Sequence, residues 1–311
     1  MKRSIIIIIL LIMLGSVSFA EPKIAVVKSR DTALYNDAVK EIEIALNAEI
    51  KGIKFSVYSL EGEREKGKDI LASIKKEKAD LILTLGTLAT QIARDGINDT
   101  PIVFTFVLNP ISSGLISSFE SSGNNLTGVA LDIPPEEQFS NFRLVVPGLK
   151  TVGVLYNPKE TGELVDRAIK SAKAMGITLK AIPVDSEEQV PEKLKSLEGV
   201  DGLWMVADSV VYTPGNTQYI ILYTLKEGLP FMGISEQVLK AGALLAKTFD
   251  INAIPKQTVQ QIKKVLEGRN PAEIKVMLPE NIELVLNLKV AKEIGLSVPE
   301  STIKKAGVIY K

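Results

Sequence analysis

From Lys23 onward, apolar stretches of strand length alternate with segments of helical spacing. "KIAVVKS" (23–29), "IKFSVYSL" (53–60), "DLILTLG" (80–86) and "TPIVFTFVLN" (100–109) have the length and composition of strands. Between the first two, "DTALYNDAVKEIEIALNA" puts Leu34, Ala38, Ile42, Ala45 and Leu46 on one helical face. "EKGKDILASIKKEKA" and "TLATQIARDG" read as the next two helices. Such βαβ repetition predicts a parallel sheet with helices on both faces.

Gly123-Asn124-Asn125 interrupts the pattern, and Pro134-Pro135 is expected to stop any regular element. The alternation then restarts. "KTVGVLYNP", "ITLKAIPV", "VDGLWMVAD", "LPFMGIS" and "ALLAKTFD" read as strands, with helices "TGELVDRAIKSAKAMG", "SEEQVPEKLKSLEG", "TQYIILYTLKEG" and "EQVLKAG" between them. The tail adds the helix "IPKQTVQQIKKVLEGRNP" and then "IELVLNLKVAKEIGLSVP", too little for a third domain, so it is expected to pack back on the others. The fold class predicted is α/β: two Rossmann-like lobes with parallel sheets. Residues 21–130 plus about 249–278 form the N-terminal lobe. Residues 131–248 plus about 279–311 form the C-terminal lobe, with several crossings between them acting as a hinge.

The first 20 residues stand apart from this pattern. "MKR", the apolar run "SIIIIILLIMLG" and the small residues Ser18 and Ala20 have the order of a secretory signal peptide. The run is shorter than the roughly 20 residues of a spanning helix. Cleavage after Ala20 is expected, leaving a mature chain that starts at Glu21 without a membrane anchor.

Composition narrows the chemistry. Basic and acidic residues number 37 each, so nothing in the overall balance invites nucleic acid. The chain has neither cysteine nor histidine, which removes Ser-His-Asp and Cys-His catalysis and the common zinc sites. Neither a cofactor nor a metal is expected. With no cysteine there is also no lipid-acceptor residue behind the signal peptide, which fits a free protein in a periplasm.

In open parallel sheets, ligands bind beyond the carboxyl ends of the strands. In the first lobe this rule selects Ser29, Arg30, Gly86 to Thr90, and Leu108 to Pro110. In the second it selects Tyr156, Asn157, Asp208, Ser209, Ser235, Glu236, Phe249 and Asp250. Gly86-Thr87 joins a strand to a helix, and the free amides of a helix start suit a small anion. Asp208 closes a second-lobe strand, where a carboxylate facing a cleft calls for a cation. Trp204, in mid-strand, is expected to serve the core.

The pieces "LGTLAT", "PIVFTFVLNPISSGL", "GNNLTGV", "VGVLYNP", "GLWMVADS", "GISEQVLKAGALLAKTFD", "LEGRNPAEIKV" and "LNLKVAKEIGLSVP" occur here in one order, from Lys23 to Pro299. In that order the chain resembles a group of ABC-transporter solute-binding proteins with the type I periplasmic-binding-protein fold, some of which bind tryptophan or tyrosine. The resemblance implies that Gly86, Thr87, Ala89 and Thr90 take a ligand carboxylate and that Asp208 takes its ammonium. The strand-end rule supplies the other expected ligand contacts, Asn109, Tyr156, Asn157, Ser209, Ser235 and Asp250. The chain departs from the group's common pattern at Asn109, where an Asp is frequent, and at Ser209, where Asn is usual.

The function expected is therefore that of a monomeric periplasmic solute-binding protein. It would close on an amino acid or related small acid and be recognised by a permease with its ATPase. Residue identities leave two alternatives open: a ligand-binding sensory module for a separate signalling protein, and a cleft enzyme of carboxylate type.

Overall fold

The computed structural model describes residues 21–311; the expected signal peptide lies outside the described residues. The first part of the chain forms β1 (Lys23–Lys28), α1 (Ala33–Glu49), β2 (Lys54–Ser59), α2 (Gly67–Glu77), β3 (Leu81–Leu85), α3 (Thr87–Gly96), β4 (Ile102–Val107) and β5 (Leu126–Ala130). These strands make a parallel sheet in the order β2-β1-β3-β4-β5. β3, β4 and β5 are buried along their whole length, which is why they read as unbroken apolar runs. In α1 the buried stripe is Ala38, Val39, Ile42 and Leu46; Leu34, expected on that face, is exposed one turn earlier.

The second part contributes α4 (Pro135–Val145), β6 (Thr151–Tyr156), α5 (Pro158–Ala174), β7 (Thr178–Pro183), α6 (Val190–Lys195), β8 (Gly202–Trp204), α7 (Pro214–Lys226), β9 (Phe231–Gly233), α8 (Glu236–Ala241) and β10 (Leu245–Thr248). After α9 (Ile254–Leu266) come β11 (Glu283–Asn287), α10 (Leu288–Glu293), α11 (Glu300–Ile303) and β12 (Val308–Tyr310). The second sheet has the order β12-β11-β10-β9-β8-β6-β7. β11 runs antiparallel to β10, a departure from the purely parallel sheet the pattern predicts. It follows α9 and a return crossing, so it enters the sheet from the opposite end.

Pro134-Pro135 starts a helix rather than stopping one. Pro135 is the first residue of α4, followed by Glu136 and Glu137 in the first turn. Proline's fixed φ suits that position, where its missing N–H has no intrahelical partner anyway, and the two acids meet the positive end of the helix dipole.

The chain passes between the sheets three times: after β5, between β10 and α9, and between α9 and β11. α9 belongs to the first sheet's core, where its Ile254, Val259, Ile262 and Val265 pack with Val39, Ile42 and Leu46 of α1. Gln261 of α9 donates to the Gly128 carbonyl of β5, and Met277 pairs with Val129 beside it. Gly128 itself is required: a Cβ there would lie 2.0 Å from the Phe104 carbonyl oxygen. Just beyond that close approach β4 carries a bulge between Phe104 and Val107, and Phe106 sits at φ 55°. A left-handed phenylalanine is an uncommon backbone state. The irregularity turns the end of β4, so that Leu108 and Asn109 (φ 50°) face the space between the sheets.

Candidate functional site

The carboxyl ends of the two sheets offer two regions. The outer one contains most of the residues expected from sequence. Gly86 links β3 to α3 at φ 86°, and a Cβ there would meet Tyr35 Oη at 2.5 Å and Ser29 Oγ at 2.7 Å. Glycine is thus a requirement of the turn. The Ala89 N–H donates to Ser29 Oγ at 3.0 Å. Thr90 is fully buried, its hydroxyl donating to the Gly86 carbonyl at 2.8 Å and lying 2.9 Å from Thr84 Oγ1. Ala89 and Thr90 therefore hold the turn together and present no group to a ligand, contrary to expectation. What remains at the helix start is the half-buried Thr87 with its amide and that of Leu88.

Asp208 also differs from expectation. It is 3% exposed, and both oxygens are occupied within its own lobe. Oδ2 accepts from the Asn157 N–H and the Thr161 hydroxyl, each at 2.6 Å. Oδ1 accepts from the N–H groups of Val210 and Val211 at 3.1 and 3.0 Å. Four donors satisfy the carboxylate without a ligand cation, tying the end of β8 to the start of α5. Asn157 caps α5 by accepting from the Lys159 N–H and donates its amide to the Val184 carbonyl, so it too is consumed.

Ser209 is bound to Glu160 through its N–H and hydroxyl, Ser235 caps α8, and Asp250 caps the turn at Asn252. Tyr156 packs against the core beneath α5, and Arg30 is exposed. Strand-end polar residues are here mostly the caps of the helices that follow.

The inner region is a cavity of about 220 Å³ beside the crossings. That is below the roughly 300–1,000 Å³ of drug-sized ligand sites, which limits an occupant to a small molecule. Leu108 and Asn109 reach it from the end of β4, and Leu131, Asp132 and Ile133 from the first crossing. Met205, Val206 and Ala207 follow β8, Ile234 follows β9, and Lys247 and Phe249 come from β10 and the second crossing. Of the residues selected at the strand ends, Leu108, Asn109 and Phe249 thus line this cavity. β8 ends at Trp204, earlier than the run "GLWMVAD" predicts: Met205 still donates its N–H to the Met232 carbonyl of β9 at 2.9 Å, and Val206 and Ala207 continue beyond the ladder as cavity wall.

Trp204 serves both core and cavity. It packs edge-on against Phe139 at 5.0 Å, and its indole N–H donates to Gln138 Oε1 at 2.8 Å. Gln138 in turn donates to the Ile133 carbonyl at 2.7 Å, fixing the wall to the crossing. Leu108 and Ile234, 45% and 39% exposed, come from different sheets and leave apolar surface open at the cavity.

Two charged groups stand among these apolar ones. Lys247 is 6% exposed; its Nζ lies 3.2 Å from Glu137 Oε1 and donates to the Ile282 carbonyl at 3.3 Å. Asp132 is 8% exposed and accepts from the Asn109 N–H at 2.9 Å through Oδ2. Burial pushes the Asp132 carboxyl up to about 6, against the opposing pull of the Asn109 N–H and the Arg167 guanidinium. Among the described residues no His/Cys/Asp/Glu group is arranged to hold a metal ion.

Sequence reasoning missed Asp132, Gln138 and Lys247. Asp132 and Gln138 flank the diproline taken for a break, and the helix start Pro135-Glu136-Glu137 was the available signal. Lys247 sits in the alternation of β10, where Leu245 faces the same core; a lysine at an inward position was the sign to look for.

The family profile described as "ABC transporter substrate binding protein" matches residues 28–309. The tyrosine-binding protein of Clostridioides difficile (strain R20291) is 23% identical over 248 residues, covering 78% of this chain and 71% of that protein. Among solved structures, an ABC domain in complex with L-Trp from Streptococcus pneumoniae has a TM-score of 0.68 at 23% identity, over 93% of this chain and 100% of that one. A ligand-free, open substrate binding protein with adhesive properties from Clostridium difficile has a TM-score of 0.74 at 19% identity, over 93% and 99%. At these identities the structures establish a shared fold.

Proposed function

This chain belongs to the ABC transporter substrate binding protein family, and from that premise we propose that it captures an amino acid or related small acid outside the cytoplasm for import. The ligand occupies the cavity beside the crossings, and the two sheets close on it. Closure requires contacts to one ligand from both sides, since a ligand shifts a conformational equilibrium only by its differential affinity for the two states. The closed form is what a permease with its ATPase would recognise. Binding and closure need no bond-making chemistry.

The observation that carries this reading is the cavity's position. Its lining comes from the carboxyl ends of strands in both sheets and from the segments that cross between them. A ligand there touches both halves and the hinge together. The apolar lining of Leu131, Trp204, Ile234 and Phe249 suits a ligand with an apolar body, and the names of the two ligand-defined relatives make L-tyrosine and L-tryptophan the first probes.

The test is a thermal-shift and fluorescence screen of residues 21–311 against the amino acids and small carboxylic acids. Trp204 is the sole tryptophan in the chain and lines the cavity, so ligands other than tryptophan should change its emission as they raise the melting temperature. A ligand that raises the melting temperature while leaving Trp204 emission unchanged would move the site elsewhere.

A further inference from the structure

The cavity holds one buried cation and one buried anion, and each has bonding capacity left. Lys247 has three N–H donors; it donates one hydrogen bond, to the Ile282 carbonyl at 3.3 Å, and stands 3.2 Å from Glu137 Oε1 as an ion pair. Its acidic neighbour Glu137 is 37% exposed and therefore solvated without the lysine. A buried ammonium among Leu164, Trp204 and Ile234 is costly unless it is well paired, and this pairing is loose. Asp132 has the complementary shortage. Its Oδ2 takes the Asn109 N–H, while Oδ1 is not among the buried side-chain atoms left without a partner and stays open to the cavity that Asp132 lines. Arg167 attracts it from α5 without forming an ion pair among the described residues.

We propose that Lys247 receives the ligand's acidic group and Asp132 its ammonium group, with Trp204, Leu131 and Phe249 against the apolar body between them. This inference rests on the cavity being the ligand site. It makes the ligand a zwitterion and sets its direction. Lys247 stands on β10 of the second sheet, and Asp132 leaves β5 and is bonded to the end of β4, on the side of the first sheet. The acid therefore points to the second lobe and the ammonium to the first, the reverse of the direction implied by Gly86-Thr87 and Asp208. Burying a lone carboxylate destabilises the empty protein, and the ligand's cation removes that cost at the moment both lobes engage.

The experiment compares three probes by calorimetry on wild type, Lys247→Met and Asp132→Asn: L-tyrosine, its des-amino acid 3-(4-hydroxyphenyl)propionate, and tyramine. Lys247→Met should weaken L-tyrosine and the des-amino acid by about tenfold or more and leave tyramine unchanged. Asp132→Asn should weaken L-tyrosine and tyramine by a similar factor and spare the des-amino acid. Melting of each variant without ligand shows whether it folds; Lys247→Gln replaces the methionine variant if that one does not. Equal losses across the three probes, or none, would overturn the assignment. If wild type prefers an uncharged or singly charged compound to every amino acid, the zwitterion is wrong while the substrate-binding reading stands. If wild type binds no small molecule, that reading fails and this inference with it.

Discussion

Around Asp208 and Gly86, at the rim of the cleft, nearly every polar side chain is spoken for: one carboxylate takes four hydrogen bonds, and the Thr90 hydroxyl is buried against two partners. Around Lys247 and Asp132, at the floor, the charged groups are as deeply buried yet sparsely bonded. Both regions lie at strand ends, where a ligand is expected, and both are polar. They differ in whether the protein has already satisfied them. A satisfied group holds the fold, whereas a buried group with capacity left over is costly to the empty protein and so points to an occupant.

The largest effect that could break this comparison is at Asp208. Asp208→Ala leaves four donors without their acceptor, and at about 1–3 kcal/mol for each buried group left unsatisfied, the loss of stability is roughly 4 kcal/mol or more. Urea denaturation without ligand measures it. A variant of wild-type stability that has lost only affinity would return Asp208 to the ligand site.

The floor predicts a smaller effect with the opposite sign. Asp132 has its pKa raised from 3.8 to about 6, so between those values the folded state holds the proton more tightly than the unfolded chain. Stability from this group therefore falls as pH rises through that window and is level above it, by roughly 1–3 kcal/mol in all. Asp132→Asn keeps an acceptor for the Asn109 N–H and should flatten that part of the profile, raising the melting temperature at pH 7.5. An unaltered profile would remove the cost that the floor is argued to carry.

Thr87 is expected to matter least. Thr87→Val removes a hydroxyl at the surface of the rim and should change unliganded stability by less than about 0.5 kcal/mol. Ligand affinity should stay within a factor of about two if the charges are met at the floor. A tenfold loss would show that the rim takes a charged end of the ligand after all.

The central strands were legible because they are buried on both faces: "DLILTLG" and "TPIVFTFVLN" match β3 and β4 to within two residues at each end. What escaped was local or long-range. α4 was hidden behind a diproline that reads equally as a stop and a start, and the antiparallel entry of β11 depends on a crossing that no local pattern encodes. For the site, the strand-end rule found the right edge of each sheet but did not separate caps from contacts. Asn157 and Ser235 carry the side chains that helix starts prefer, and they are used that way. Distinguishing Asp208 from Asp132 needs a count of the donors around each, and those donors come from residues distant in sequence.

The return of α9 to the first sheet bears on how the molecule is made. A ribosome has released all five strands of that sheet by residue 130, but the helix that covers one face of it spans Ile254–Leu266. Four apolar side chains of α9 enter that core, and at about 1.5–3 kcal/mol each their absence removes an amount comparable to the whole 5–15 kcal/mol stability of a typical domain. The nascent N-terminal half cannot complete its own core, so no early fragment should fold stably on its own. The core of the first sheet is therefore closed only when synthesis is nearly over, which sets the order in which the two halves can become stable.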